Sequence, residues 1–488
     1  MIFSIASYLS IYTHSNLHSI LKSLSPFLSP FLSHLSLSPN LFSRFFTTVN
    51  IMAPPSSDSS PLSQNHTNDS DHHLHLQPLL ESARPFLRGE LQDVDPNLPR
   101  LISVLQAAGA GECWHKHGSF LDHLIGVYRI LKMWKAPDEV CLCGLFHSAY
   151  SNSYVNLAIF PPSSAGRQTV RSHVGPAAER LIHLFCVVPR QPLIHDFLLF
   201  QYTDQELVDH LRSSEISLRK IIDGEIEEKE AEIWRAKLQS ICPAEGIKVK
   251  HIKTGEDVLV SRRLLAVFIL MTVADFSDQL FGFQDALFGN SDGRLEFSGN
   301  NTVTSLWPGN GKPGLWMNSV SRMAAIYTLI VREEKIYTST ASKLKDYNKR
   351  EDEELELVIP PVFHGCTRVV DSEDQIAARD MYWEAVCNAA EIGLEKAEEL
   401  LLRSVEKNPF VGEGYVVLGQ IYLGEGRFEE AEMAAERGLR LMLQWGSPWD
   451  KRMTWQGWVA WARVLLMKSK DKSWPHNPWG ILNLGLVT

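Results

Sequence analysis

From about residue 77 to residue 336, apolar residues recur at helical spacing and predict a mainly helical region. Its first firm start signal is Ser119 with Asp122 three residues on, a capping box ahead of LIGVYRILKMW. Phe120, Leu124, Val127, Leu131 and Trp134 then define one buried stripe, and His123 flanks it on the side of Val127 and Ile130, where it can face inward. Pro137 and Asp138 open a second helix, EVCLCGLFHSAY, whose near-continuous apolar character marks it as buried on most sides. His147 lies close to its end. A third helix, SHVGPAAERLIHLFC, follows a Pro/Ser/Gly loop at 161 to 166.

Residues 203 to 240 are strongly charged, with opposite charges at helical spacing in EIEEKEAEIWRAKL, and read as a solvated surface helix inside a charged insertion at about 203–260. Within that insertion IKVKHIKTGEDVLVS alternates around a Thr-Gly-Glu-Asp turn and suits a small hairpin. A further apolar helix, LLAVFILMTVADFSDQLF, begins near Ser261 and carries Asp275. A Gly/Asn-rich loop follows, up to a helix near Met317; its PGNGKPG lacks the Walker spacing and the Lys-Ser/Thr ending and reads as turns. Residues 337–375 form an acidic, Pro-containing linker.

Residues 376–488 have an internal period. Ala385 and Gly419, and Ala397 and Ala431, are each separated by 34 residues, and Pro409 closes the first unit. Leu418, Gly419, Tyr422, Ala431 and Ala435 alternate small and large residues so that two antiparallel helices can approach, and Trp455, Trp458 and Trp461 mark a third, irregular unit that caps the stack. Over about a hundred residues this pattern resembles the tetratricopeptide family. The resemblance implies either a concave groove for a protein partner or a stack that packs on the first domain.

Composition narrows the function classes. The 488 residues carry a formal net charge of -10, with 44% hydrophobic and 21% charged residues, which is the balance of a globular protein without the basic footprint of nucleic-acid binding. Seven cysteines at irregular spacing, with no CxxC pair, read as reduced thiols in a cytosol-like compartment. Residues 1–51 are rich in Ser, Leu and Phe, contain Lys22 and Arg44, and precede the first acidic residue, Asp58. They suit either a chloroplast or mitochondrial transit peptide or an extension upstream of a cytoplasmic initiator, Met52. Pro26, Pro30 and Pro39 break every apolar run before it could span a membrane. Residues 52–76 are Pro/Ser/Asn/Asp-rich, a composition that predicts a disordered linker, and their DHHLHL cluster reads as linker rather than metal site.

His123, His147 and Asp275 carry the chemistry. Each stands in an apolar stretch, where a lone polar or charged group would cost several kcal/mol to bury, so each needs either a local hydrogen-bond partner or a shared ion. HLIGVYRIL and CGLFHS, 24 residues apart from His to His, followed by VADFSDQLF, resemble the ligand segments of the HD-domain phosphohydrolases, especially the RelA/SpoT-type ppGpp hydrolases. HVGPAAERLIHLF is similar to the segment between those motifs. The resemblance covers roughly residues 100 to 285. It implies an all-α, HD-like bundle, with a small β-hairpin and followed by the short tetratricopeptide-like array, in which His123, His147 and Asp275 hold a divalent ion: manganese, magnesium, zinc or iron.

The departures from that family are specific. Its Asp after the second His is Ser148 here, a weak ligand or one acting through water, and its acidic pair falls on Ser151 and Asn152, which cannot serve as general bases. Tyr150 offers a phenol between them, and Gln279 stands near where the family has a nucleotide-contacting Asn. HS in place of HD ahead of tetratricopeptide-like helices resembles a plant-type group of HD-related proteins. Two functions follow as expectations. In one, a degenerate HD-like module keeps a weakened metal or nucleotide pocket for a regulatory or structural role, while the repeats bind a protein partner. In the other, an active metal-dependent phosphohydrolase acts on a nucleotide or another phosphate ester, with water completing the ion's shell.

Overall fold

The capping box forms as read. Ser119 Oγ accepts from the Asp122 amide at 3.1 Å and starts the helix whose inward face carries His123. In the computed structural model, the described residues are 76–115, 118–151, 158–190, 192–222, 232–279, 316–341, 352, 354–447, 449–477, 480–481 and 483–487. The transit or extension segment, the DHHLHL cluster up to residue 75, Asn152 and PGNGKPG lie outside them. The architecture is all-α, as the periodicity predicts. In chain order the first helices are α1 (Leu76–Arg88), α2 (Leu98–Ala107), α3 (Phe120–Met133), α4 (Asp138–Leu145), α5 (Ser164–Val174) and α6 (Pro176–Val187). Next come α7 (Asp204–Ile222), α8 (Ile233–Ile241), α9 (Arg262–Gln279), α10 (Trp316–Ala341) and the short α11 (Phe363–Cys366). The C-terminal helices are α12 (Ser372–Ile392), α13 (Leu394–Lys407), α14 (Gly412–Gly424), α15 (Phe428–Trp445) and α16 (Trp455–Lys470).

Two small antiparallel ribbons interrupt the helices. β3 (Ile247–Lys250) and β4 (Asp257–Val260) form the expected hairpin, with Val249 opposite Val258. β1 (Trp114–His115) pairs with β2 (Gly118–Ser119) just before α3, a two-residue ladder too short to leave an alternating pattern in sequence. The third predicted helix is two helices, because Gly175 at φ +85° breaks it ahead of Pro176, whose ring lacks an N–H and so starts a helix better than it continues one.

α3 is the centre of the bundle and packs on α1, α4, α9 and α15; α9 in turn packs on α4 and α10. The predicted stripe Phe120, Leu124, Val127, Leu131 and Trp134 is buried throughout. α9 is apolar on nearly all sides and surrounded on all of them, and its Thr272 and Ser277 hydroxyls donate to the carbonyls four residues back, at 2.7 Å each. The described parts of the charged 203–240 segment, 203–222 and 232–240, are not free surface helices. α7 lies along α10 with Leu207, Ser214 and Ser217 buried, and α8 buries Trp234 and Leu238. The described end of the 337–375 linker also enters the core: Val362, Phe363 and Cys366 are buried, and Phe363 meets Trp134 and Trp445 edge-on and stacked, respectively. Residues 72–488 therefore form one compact unit whose core runs from Leu79 to Leu466.

In the C-terminal part α12 pairs with α13, α14 with α15, and α16 closes the stack against α14 and α15. Ala397, Leu418, Tyr422 and Ala431 are all buried, and a Cβ on Gly419 would lie 3.4 Å from the Ala435 amide nitrogen, so small residues set the α14–α15 approach. Ala431→Trp is expected to overpack this contact and lower stability by about 1 to 3 kcal/mol in a denaturant melt. An unchanged melt would refute the register.

Glu413, at the start of α14, is fully buried. One carboxylate oxygen accepts from the Trp449 and Asp450 amides at 2.8 and 3.2 Å, while the other has no hydrogen-bond partner among the described residues. Burial pushes its pKa up to about 7 against the lowering by those amides, so the folded chain binds this proton more tightly than the unfolded one. Stability should fall as pH rises from about 4.5 to about 7, by up to about 3 kcal/mol from this group. Glu413→Gln should remove that component of the pH profile of unfolding; an identical slope in wild type and variant would count against the buried carboxyl.

Candidate metal centre

α3, the turn after α4, and α9 bring three polar side chains to one point. His123 Nε2 lies 3.3 Å from His147 Nε2 and 3.2 Å from Asp275 Oδ1, and His147 Nε2 lies 4.0 Å from the same oxygen. All three residues are buried, and one ligand atom from each falls within 4.8 Å of the others. Two ligands about 2.1 Å from one ion at a tetrahedral angle stand roughly 3.4 Å apart, which is the separation of the two imidazole nitrogens. This cluster could hold a metal ion. His147 and Ser148 are not helical, because α4 ends at Leu145; His147 sits in the following turn and donates from Nδ1 to the Gly144 carbonyl at 2.7 Å. That bond fixes the tautomer whose Nε2 lone pair points at the cluster.

Asp278 is the residue the sequence reading missed. One helical turn beyond Asp275, it accepts from His123 Nδ1 at 2.9 Å and so orients the ring that carries a ligand nitrogen. Gly126 makes room for it: a Cβ there would lie 2.2 Å from Asp278 Oδ1. The Asp-x-x-Asp spacing on α9 and the Gly at i+3 from His123 on α3 were the available signals.

Electrostatics follow from these pairings. Burial opposes a charge on His123, but the hydrogen bonds with Asp275 and Asp278 and their charges outweigh it and hold the imidazolium up to about 9. Burial alone would raise Asp275; the His123 bond and the positive charges around it, Arg190 among them, pull it well below the usual carboxylate range. His147 is driven down to about 4 by burial first of all, and is neutral. In the metal-free centre His123 thus donates to both carboxylates, and an ion would take the place of its Nε2 proton.

The remaining predicted positions separate. Ser148 is buried immediately after His147. Tyr150 does not serve the centre, since its hydroxyl donates to Glu179 Oε1 at 3.1 Å, in a cluster with Arg167 and Arg171, and burial raises its pKa well above the ordinary range. Ser151 is buried, and Gln279 ends α9 with its side chain outside the described residues. The seven cysteines are free thiols, and the group of converging ligand atoms includes none of them.

Residues 104–190 match a domain family described as a domain of unknown function, DUF6817, a stretch that includes His123 and His147 and ends before Asp275. No curated protein and no solved structure matches the chain. Among the described residues no helix is long and apolar enough to cross a membrane.

Proposed function

We propose that this protein is a degenerate HD-like metal-binding module, in which His123, His147 and Asp275 hold one divalent ion for a regulatory or structural role. The observation that carries the reading is the convergence of two ligand nitrogens and a carboxylate oxygen with an outer carboxylate, Asp278, already bound to one of the rings. The set is poor in anionic ligands, with a Ser where HD-domain proteins have a second Asp, and no carboxylate follows at 151 or 152 to act as general base. The C-terminal helix pairs add a groove of about 400 Å3 lined by Leu394, Leu401, Ile421, Trp458 and Trp461, which suits the partner-binding role of tetratricopeptide-like repeats.

A second reading, a working metal-dependent phosphohydrolase, is favoured by one feature: three protein ligands leave coordination positions for water and substrate. The test is release of inorganic phosphate from nucleoside di- and triphosphates by the manganese-loaded protein. The module reading expects no release above that of Asp275→Ala. Release that is lost in this variant would replace it by the hydrolase reading. Independently, Ser148→Asp restores an anionic oxygen beside His147, and its affinity for manganese should exceed the wild type by about tenfold or more in a metal titration; equal affinities would place Ser148 outside the ion's shell.

A further inference from the structure

A cavity of about 380 Å3 opens against the outer side of the metal cluster. It touches His123 and Asp278 but neither His147 nor Asp275, so it meets the centre through the pair that orients the first ligand. One wall is α3 and the other is the segment joining α15 to α16, which brings Ser447, Lys451, Met453 and Trp455 over α3 from more than 300 residues away in sequence. This arrangement was not visible as a site in either half of the sequence.

Arg129 is the informative residue. It is 6% exposed, lines the cavity, and its guanidinium carbon sits over the Trp455 ring, 3.7 Å from the ring centre. Its ionic partner among the described residues is Asp278, 3.7 Å away and beyond hydrogen-bonding range, and Asp278 is already engaged by His123 at 2.9 Å. A guanidinium has five N–H donors and keeps its charge even when buried, so one long ion pair leaves donors available to water or a ligand in the cavity. Lys451 lines the cavity from the other wall, spending one of three donors on the Asp278 carbonyl at 2.6 Å. The acidic residue on the rim, Asp122, is exposed and occupied by the Ser119 hydroxyl at 2.7 Å. Phe86, Leu91, Ile125 and Met453 supply an apolar lining next to these cations.

We infer that this cavity is a binding site for an organic oxyanion, a phosphate or carboxylate carried on an apolar or aromatic body, with Arg129 and Lys451 holding the anionic group. The C-terminal helices then complete a small-molecule site instead of serving only as a partner surface. Arg129 provides a planar fork suited to two oxygens, held over the Trp455 ring, and Lys451 adds a point charge from the opposite wall. The anion would sit on the Asp278 side of His123, so it reaches the metal cluster through the His123–Asp278 bond and not as a ligand of the ion. The inference extends the metal-binding reading and can fail separately from it.

The experiment is calorimetric titration of the full chain with phenyl phosphate, benzoate and inorganic phosphate, each in metal-free and manganese-loaded protein, with metal content measured on the same samples. Phenyl phosphate or benzoate should bind, and the better of the two identifies the anionic group. Arg129→Gln and Lys451→Gln should each weaken binding by about 10- to 100-fold, the loss expected for a hydrogen bond to a charged group, while Lys472→Gln, an exposed cation elsewhere, should bind like the wild type. Lys451 is only partly buried, so its variant keeps the test open if Arg129→Gln fails to fold. Absence of binding by all three probes at millimolar concentration, or equal affinity in wild type and Lys451→Gln, overturns the inference. Binding that depends on Lys451 in protein unable to hold a metal would sustain it while the metal reading fails.

Discussion

Asp275→Ala is expected to abolish stoichiometric metal binding. Asp275 supplies the one carboxylate oxygen of the cluster, and its loss leaves only the two imidazole nitrogens as ligands. The fall in affinity should exceed the roughly 10- to 100-fold that loss of an outer partner costs, so Gly126→Ala, which drives a methyl into Asp278, serves as the milder comparison. Equilibrium dialysis against manganese and zinc ranks wild type, Gly126→Ala and Asp275→Ala in that order of decreasing affinity. If Asp275→Ala binds as tightly as the wild type, the ion, if any, sits elsewhere.

The second large effect is on stability. The Arg262 side chain, at the start of α9, is fully buried and donates from Nε to Glu334 Oε1 at 2.7 Å, while Arg263 donates to Glu334 Oε2 at 2.8 Å. This carboxylate ties the N-terminal end of the ligand-bearing helix to α10. Glu334→Ala would leave a buried guanidinium without its closest counter-charge, a change that typically costs about 3 to 5 kcal/mol. A chemical denaturation midpoint close to that of the wild type would show that Glu333, 4.0 Å from Arg262, already neutralises it. Because α9 also carries Asp275 and Asp278, metal affinity should fall along with stability in this variant.

What the sequence showed of this centre, and what it hid, has a physical pattern. His123 and Asp275 were legible because a polar group in an all-apolar helix is costly unless partnered, and that cost is local information. Asp278 was not, since near a helix end it reads as a solvent-facing carboxylate; only the packing of α3 on α9 reveals that Gly126 admits it to His123. Arg129 likewise looks like the polar face of an amphipathic helix until α16 covers it with Trp455. The same blindness to distant packing misplaced α7, whose buried face uses Ser214 and Ser217, residues small enough to be packed against yet polar by any hydropathy measure. Arg332 donates to Ser214 Oγ at 2.8 Å, and Ser217 donates to the Ser213 carbonyl at 2.8 Å, which is how that face is satisfied. The C-terminal helix pairs were legible because their contacts fall between neighbours in sequence.

The claim on which the rest depends is that two imidazoles and one carboxylate from α3, the turn after α4, and α9 share an ion. X-ray absorption at the edge of whatever metal copurifies with the chain, or is loaded to one equivalent, measures this directly. The account predicts a first shell at about 2.0 to 2.2 Å of nitrogen and oxygen, with the outer-shell signature of two imidazole rings, reduced to one ring in His147→Ala. A chain that takes up no divalent ion, or a shell without imidazole that is the same in wild type and His147→Ala, would contradict it.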